Sequence, residues 1–309
     1  MNLPRKLVVI LGPTASGKSA LAIALAGKLN GEIVCCDSTQ VYRYFDIGTG
    51  KTTAAEQKGI RHHLMNIAEP DQVFTAGDYR RKARHSLEEI SARGKLPILT
   101  VGTGLYLRAL LEGLDDLPAR SEKIRQRLRE RVQQKGPEYL HRILARRDTV
   151  GAARIASRDT QKVIRAIEVS LLTGKPASQL LGRGRDALQG FTVIKIGLLP
   201  ARAKLYARID RRVEEMLAAG WTDEVGSILR SGISPSVKAF TFIGYSQIRE
   251  HIVNGVPLEP VIPEIQQATR RYAKRQLTWF RRESNVHWLT GFGTEENVQA
   301  EALQIIVAG

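Results

Sequence analysis

Gly12-Pro13-Thr14-Ala15-Ser16-Gly17-Lys18-Ser19 reads G-x-x-x-x-G-K-S, and this stretch decides the fold. Its two glycines let the backbone curl so that the N–H groups of residues 14 to 19 turn inward on a phosphate. Lys18 adds a mobile positive charge, and the Ser19 hydroxyl is placed to ligate a magnesium ion. The flanks agree with this reading. Leu7-Val8-Val9-Ile10-Leu11 precedes the loop and Ala20-Leu21-Ala22-Ile23-Ala24-Leu25-Ala26 follows it, so it joins a strand to a helix. Gly12, Pro13, Thr14, Ala15, Ser16, Gly17, Lys18 and Ser19 are therefore candidates for binding a nucleotide or a diphosphate. A glycine-rich turn with an incidental lysine is the alternative, and the strand–loop–helix context argues against it.

A chain of 309 residues can bury one large core or two modest ones. Its 43% apolar and 25% charged residues are ordinary for a soluble globular protein. The formal net charge of +16 is not ordinary. It implies a polyanionic partner, with nucleic acid favoured over an anionic membrane surface. No apolar run approaches the roughly 20 residues needed to span a bilayer, so no membrane partner is expected. Residues 1–6 lead directly into the first strand without a secretory signal. Cys35 and Cys36 are adjacent in an apolar strand, where neighbours make no ordinary disulfide. No C-x-x-C spacing offers a zinc site, so both read as reduced core residues of a cytoplasmic protein.

Glu32-Ile33-Val34-Cys35-Cys36 reads as a second buried strand that ends at Asp37-Ser38-Thr39-Gln40. In open α/β sheets ligands bind outside the carboxyl ends of the strands, which puts Asp37 in the same crevice as the phosphate loop. An N-cap or turn aspartate is the alternative. His62-His63-Leu64-Met65-Asn66-Ile67 can form a short strand. Its paired histidines lack partners at metal-ligand spacing, which leaves phosphate or RNA contact or plain packing. The pattern over 77–93 is helical with Asp78 as N-cap. A buried strand over 96–101 then runs into Gly102-Thr103-Gly104 and a helix over 105–111. Thr103 either offers its hydroxyl to the crevice or holds a structural turn.

The character of the chain changes near Leu114-Asp115-Asp116-Leu117-Pro118. Over 121–147 the cations Lys123, Arg125, Arg127, Arg129, Arg131, Arg142, Arg146 and Arg147 crowd a helical pattern whose apolar stripe is Ile124, Leu128 and Val132. A second helix over 159–173 turns Val163, Ile164, Ile167 and Leu171 inward, with Gln161, Lys162 and Arg165 outward. Residues 182–190 read as a mobile loop. The expected fold is thus α/β, a P-loop NTPase-like parallel sheet flanked by helices, with a mostly helical insertion domain. Its core comprises 1–114 and 191–309, and its insertion 115–190. Strand character returns over 191–199, and helices follow over 202–219, 222–230, 244–254 and 259–283. The last carries Arg270-Arg271-Tyr272-Ala273-Lys274-Arg275-Gln276-Leu277-Thr278-Trp279-Phe280-Arg281-Arg282. Cations interleaved with aromatics and free of acids can neutralise phosphates and stack on bases; a solvated face is the alternative. Residues 286–289 complete the pattern as a final strand.

Gly12 to Ser19, Asp37-Ser38-Thr39-Gln40-Val41-Tyr42, Asp46-Ile47-Gly48-Thr49, His62-His63-Leu64, Gly77-Asp78-Tyr79, Gly102-Thr103-Gly104-Leu105-Tyr106 and the Arg270 to Arg282 run occur in this order. Together they resemble the tRNA dimethylallyltransferase (tRNA isopentenyltransferase) family, over nearly the whole chain. Two positions depart from the family pattern. Val101 stands in place of the usual glycine, where it can narrow the adjoining channel, and Gly50 in place of alanine. The zinc-finger tail of eukaryotic relatives is missing, so the resemblance is to the compact bacterial form.

The resemblance implies transfer of a dimethylallyl group from dimethylallyl diphosphate to N6 of the adenosine on the 3′ side of the anticodon, in tRNAs reading codons that begin with U. It implies Asp37 and Thr103 as catalytic residues, Asp37 as general base, and Mg2+ held partly by Ser19. It further implies that Asp37, Ser38, Thr39, Gln40, Thr103, Arg125, Gln161, Lys162, Val163, Ile164 and Arg165 bind the tRNA substrate. The expected partners are thus tRNA, through its anticodon stem-loop, and dimethylallyl diphosphate, with the protein a monomer. The residue chemistry agrees. An exocyclic amine must lose a proton as it is alkylated, and a diphosphate leaving group needs its charge stabilised. Without the resemblance, a phosphate loop with a strand-end aspartate suggests an ATP-binding small-molecule kinase. An isopentenyltransferase acting on free adenine nucleotides shares those features, but neither alternative explains the basic insertion. An RNA-dependent NTPase would want a strand ending in a metal-binding aspartate where Val101-Gly102-Thr103 stands, and a non-catalytic RNA-binding module would not need Lys18, Ser19 and Asp37 together.

Overall fold

A computed structural model describes residues 5–182 and 184–309. These residues divide into two compact units, one running to Leu111 and resuming at Leu188, the other spanning Glu112–Ala187.

The first unit is built on a six-stranded parallel sheet in the order β3-β2-β4-β1-β5-β6. Its strands are β1 (Arg5–Leu11), β2 (Gly31–Cys36), β3 (His62–His63), β4 (Leu96–Val101), β5 (Phe191–Leu198) and β6 (Val286–Leu289). Helices α1 (Lys18–Leu29), α2 (Ala54–Gln57), α3 (Ala76–Ala92) and α4 (Gly104–Leu111) lie between the first strands. In the second unit follow α5 (Glu122–Lys135), α6 (Pro137–Arg147), α7 (Thr149–Arg154) and α8 (Thr160–Thr173). After β5 the first unit adds α9 (Arg202–Ala218), α10 (Trp221–Arg230), α11 (Tyr245–Asn254), α12 (Leu258–Phe280) and, after β6, α13 (Glu296–Ala308).

The unbroken apolar run of β1 follows from its place between two layers, since a parallel sheet covered on both faces excludes water from every position. Leu7, Val9 and Leu11 enter one core with residues of α3, α4, α10, α11 and α12, while Val8 and Ile10 enter the other with α1 and α13. Val101 is fully buried in the first of these cores, so its side chain fills the interior and does not narrow a channel.

Several elements differ from their sequence reading. The N-cap of α3 is Thr75, three residues before the expected Asp78; its hydroxyl accepts from the Asp78 amide while the Asp78 carboxylate accepts from the Thr75 amide, a capping box. The basic stretch is two helices, because Gly136 takes a positive φ of 79° and Pro137 starts α6 afresh. Leu171 points outward at 45% exposure, while Val163, Ile164, Ala166, Ile167, Glu168, Val169 and Ser170 are the buried residues of α8. The long helix α12 stops at Phe280, short of 283. Helix α13 was absent from the sequence reading, although Val298, Ala302 and Ile306 repeat every four residues and are buried.

Candidate active site

Loops at the carboxyl ends of β1, β2 and β4 converge on one cavity of about 1100 Å³ within the first unit. Parallel strands bring these ends together, as the strand–loop spacing of the sequence requires. The phosphate loop takes its shape from left-handed backbone at Ala15 (φ 62°) and Gly17 (φ 88°). Only glycine suits position 17, since a Cβ there would lie 2.8 Å from the Gly293 amide nitrogen. Thr14, Ala15, Gly17, Lys18 and Ser19 line the cavity. Gly12, Pro13 and Ser16 do not: Ser16 is fully buried, its carbonyl accepts from the Gly293 amide at 2.9 Å, and the Pro13 carbonyl accepts from Lys18 Nζ at 2.7 Å. The Thr14 amide is also unavailable to a phosphate, because it donates to Gln276 Oε1 at 2.7 Å. The Ser16 amide is likewise engaged, donating to the Pro13 carbonyl at 3.3 Å, so the loop offers fewer amides than the sequence suggests.

Burial pulls the Lys18 ammonium down to about 7, against the opposing pull of the Asp37 carboxylate, and Arg212 adds to the depression. Arg208, Arg211 and Arg212 of α9 line the same cavity. Arg212 is itself lowered by burial and by the Arg208 charge, and its Nη2 reaches the Gly50 carbonyl at 3.5 Å. A methyl at position 50 would lie 2.2 Å from that nitrogen, so glycine at 50 is what lets Arg212 settle there. Glu56 and Glu215 also line the cavity, and Glu215 pairs with the exposed Arg211 at 3.2 Å, but the buried Arg212 has no carboxylate within ion-pair distance among the described residues and suits a polyphosphate.

Asp37 lines the cavity and satisfies both sequence readings at once. Its Oδ1 accepts from the Thr39 amide at 2.8 Å and the Thr39 hydroxyl at 2.7 Å, the turn role. Its Oδ2 has no hydrogen-bond partner among the described residues and lies over Gly102, where a Cβ would come within 1.9 Å of it. Thr103 is half-buried beside the cavity-lining Gly102; its Oγ1 accepts from the Ser38 amide at 2.9 Å and lies 3.1 Å from Ser38 Oγ. It positions the Asp37 turn. Ser38, Thr39 and Gln40 line the cavity, but the Gln40 amide is spent internally, donating to the Thr49 and Gly50 carbonyls at 3.1 and 3.2 Å. His63 is a packing residue, with Nε2 2.7 Å from the buried Glu32 carboxylate, which also holds Arg93 and Lys95. Those three partners hold the Glu32 carboxyl down at about 2 despite its burial.

The Arg270 to Arg282 run is divided in its roles. Arg270 pairs with Asp210, Arg275 and Tyr272 line the cavity, and Arg271, Lys274, Arg281 and Arg282 face solvent. Burial and the Asp37 charge push the Tyr272 hydroxyl up, keeping it a donor to the Gly102 carbonyl at 3.2 Å. Sequence reasoning missed Arg212 and Gln276. Each sits on the buried stripe of its helix, Arg212 beside Ile209 and Val213, Gln276 beside Ala273 and Phe280, and a polar residue in that register was the available signal.

In the second unit, Glu168 is fully buried and binds the Arg125 guanidinium at 3.0 Å, Arg165 at 2.8 Å and the Ser121 amide at 2.7 Å. Arg125 and Arg165 are thus structural partners of Glu168 as well as candidates for RNA. Val163 and Ile164, predicted to bind tRNA, are 0% and 4% exposed in the core of this unit and present no side chain to a ligand. Gln161 and Lys162 are exposed, with Lys162 Nζ 2.6 Å from Asp159.

A glycine-rich loop between β1 and α1 and a strand-end carboxylate in one cavity mark an α/β protein with a P-loop NTPase-like fold. The IPP transferase family model matches residues 40–283, and the chain belongs to that family. It is 50% identical over 297 residues to a tRNA dimethylallyltransferase of Solibacter usitatus, covering 96% of both chains. It is 50% identical over 300 residues to one of Koribacter versatilis, covering 97% of each. Among solved structures, the tRNA isopentenylpyrophosphate transferase of Bacillus halodurans superposes with a TM-score of 0.72 at 38% identity, over 98% of this chain and 96% of that one. A eukaryotic dimethylallyltransferase described as acting on tRNA gives 0.78 at 26% identity, over 98% of this chain and 77% of its own.

Proposed function

We propose that this protein transfers a dimethylallyl group from dimethylallyl diphosphate to N6 of the adenosine on the 3′ side of the anticodon, in tRNAs reading codons that begin with U. The observation that carries the reading is the unpartnered Oδ2 of Asp37 in the same cavity as Lys18 and Arg212. In the step, the N6–C1 bond to the prenyl group forms, the C1–O bond to diphosphate breaks, and the N6 proton passes to Asp37. The amides of Ala15, Gly17, Lys18 and Ser19, with the Lys18 and Arg212 side chains, take up the charge that develops on the leaving diphosphate.

Magnesium fits this site. Ser19 at the start of α1 lines the cavity, and no cluster of three or more His, Cys, Asp or Glu exists among the described residues, so the ion would be held by the Ser19 hydroxyl, substrate phosphate oxygens and water. When bound it would neutralise part of the diphosphate charge. The adenine enters by flipping from the anticodon stack. The exposed cations of α5 and α6 supply phosphate contacts to the anticodon stem, which makes 112–187 a tRNA-binding domain. No described helix is long and apolar enough to cross a membrane, and a cytoplasmic monomer completes the reading.

The test supplies purified protein with Mg2+, tRNA and dimethylallyl diphosphate labelled in the prenyl group. Label should appear in tRNA on adenosine. Label confined to free adenine nucleotides, or ATP hydrolysis without prenylation, would replace the proposal with one of its rivals.

A further inference from the structure

Gln276 is buried on α12 with both ends of its side-chain amide committed to backbone. Its Oε1 accepts from the Thr14 amide at 2.7 Å, and its Nε2 donates to the Gly102 carbonyl at 2.8 Å. One end therefore fixes the phosphate loop after β1, and the other fixes the turn after β4. The β1–β4 ladder stops at Ile10 and Thr100, just where the two segments separate to form the cavity. Past that point the Gln276 amide spans them.

Gly102 is also the shelf beneath Asp37. A Cβ at 102 would lie 1.9 Å from Oδ2, so the position of the Gly102 backbone decides where the carboxylate rests. Tyr272, one turn earlier on α12, donates to the same carbonyl at 3.2 Å. The chain of contacts runs from the phosphate loop through Gln276 to Gly102 and on to Asp37.

We propose that Gln276 is a positioning residue that sets the separation between the diphosphate grip and the Asp37 base. The inference rests on the prenyl-transfer reading, in which leaving group, prenyl carbon, N6 and base must line up. Misplacement by about 1 Å in such an arrangement costs on the order of 10²-fold in rate. Glutamine is the side chain this role needs. Methionine has its length but neither donor nor acceptor, and glutamate can accept from Thr14 but offers nothing to the Gly102 carbonyl.

The test is a double-mutant cycle of Gln276→Met with Asp37→Asn, read by single-turnover prenylation of tRNA, with melting temperature followed alongside. In the wild-type background Gln276→Met should lower the rate by about 10- to 100-fold while both substrate KM values stay within about threefold. In the Asp37→Asn background the same change should cost less than about threefold, because a base that is gone cannot be misplaced. Gln276→Glu, which keeps the Thr14 bond, serves as the second variant and should also lose rate at unchanged KM. A rate for Gln276→Met within threefold of wild type, or an equal loss in both backgrounds, overturns the proposal. Wild-type protein that fails to prenylate tRNA overturns the underlying reading instead, so the two failures are distinct.

Discussion

Replacing Asp37 with asparagine separates the two duties of this residue. In the wild type, Oδ1 closes the turn by accepting from the Thr39 amide at 2.8 Å and its hydroxyl at 2.7 Å, and Oδ2 stays unpartnered over Gly102. Asparagine can keep both Oδ1 bonds with its carbonyl oxygen. They become bonds to a neutral acceptor, a loss of about 1–4 kcal/mol of stability in total, given that bonds to charged groups are worth about 1.5–3 kcal/mol and neutral ones about 1. The amide nitrogen takes the place of Oδ2 and cannot accept a proton. General-base catalysis is worth about 10²–10⁴-fold. At about 1.4 kcal/mol per tenfold, the barrier should rise by roughly 3–5 kcal/mol. The assay is single-turnover prenylation with saturating tRNA and dimethylallyl diphosphate, with tRNA affinity measured separately. Asp37→Asn should bind tRNA within about threefold of wild type and lose 10²-fold or more in rate. Asp37→Ala should lose similar activity and also about 1–3 kcal/mol of stability, because it strands the Thr39 amide. An Asp37→Asn enzyme turning over at the wild-type rate would refute the reasoning.

Three other outcomes follow from the same geometry. Gly102→Ala should leave the fold intact, since the nearest atoms its Cβ meets all belong to the Asp37 side chain, yet push that carboxylate aside and cost about 10²-fold in single-turnover rate. Burial pulls the Lys18 ammonium down to about 7, and it must be charged to hold diphosphate. Binding therefore takes up a proton, and calorimetry with an unreactive dimethylallyl diphosphate analogue should show Kd rising about tenfold per pH unit above 7, a slope lost in Lys18→Ala. The exposed cations Lys123, Arg127 and Arg131 lack ion-pair partners among the described residues, and each change to Ala should weaken tRNA binding and shrink the slope of log Kd against log salt by about one.

The sheet and its crevice were legible because parallel strands buried on both faces must be continuously apolar, and Leu7 to Leu11 and Ile33 to Cys36 are. The phosphate loop and Asp37 were legible because their chemistry requires particular residues at strand ends. Less visible was how each polar group spends its bonds. Nothing local in the sequence tells that Gln276 takes the Thr14 amide from the phosphate loop, a contact across 262 positions. Thr103 belongs to the same class, since its hydroxyl accepts from the Ser38 amide, 65 positions away. The break of the basic stretch at Gly136-Pro137 was legible locally, but the four-residue repeat of Ile124, Leu128 and Val132 masked it.

The central claim is that the phosphate loop grips a leaving group and that the acceptor is an adenosine of tRNA. Dimethylallyl diphosphate carrying one radiolabel in the prenyl carbons and another in the terminal phosphate, incubated with the protein, Mg2+ and tRNA, tests it most directly. The account predicts that prenyl label enters tRNA at N6 of one adenosine while an equal amount of phosphorus label is released as inorganic diphosphate. Phosphorus label transferred to an acceptor, or prenyl label absent from tRNA, would contradict it.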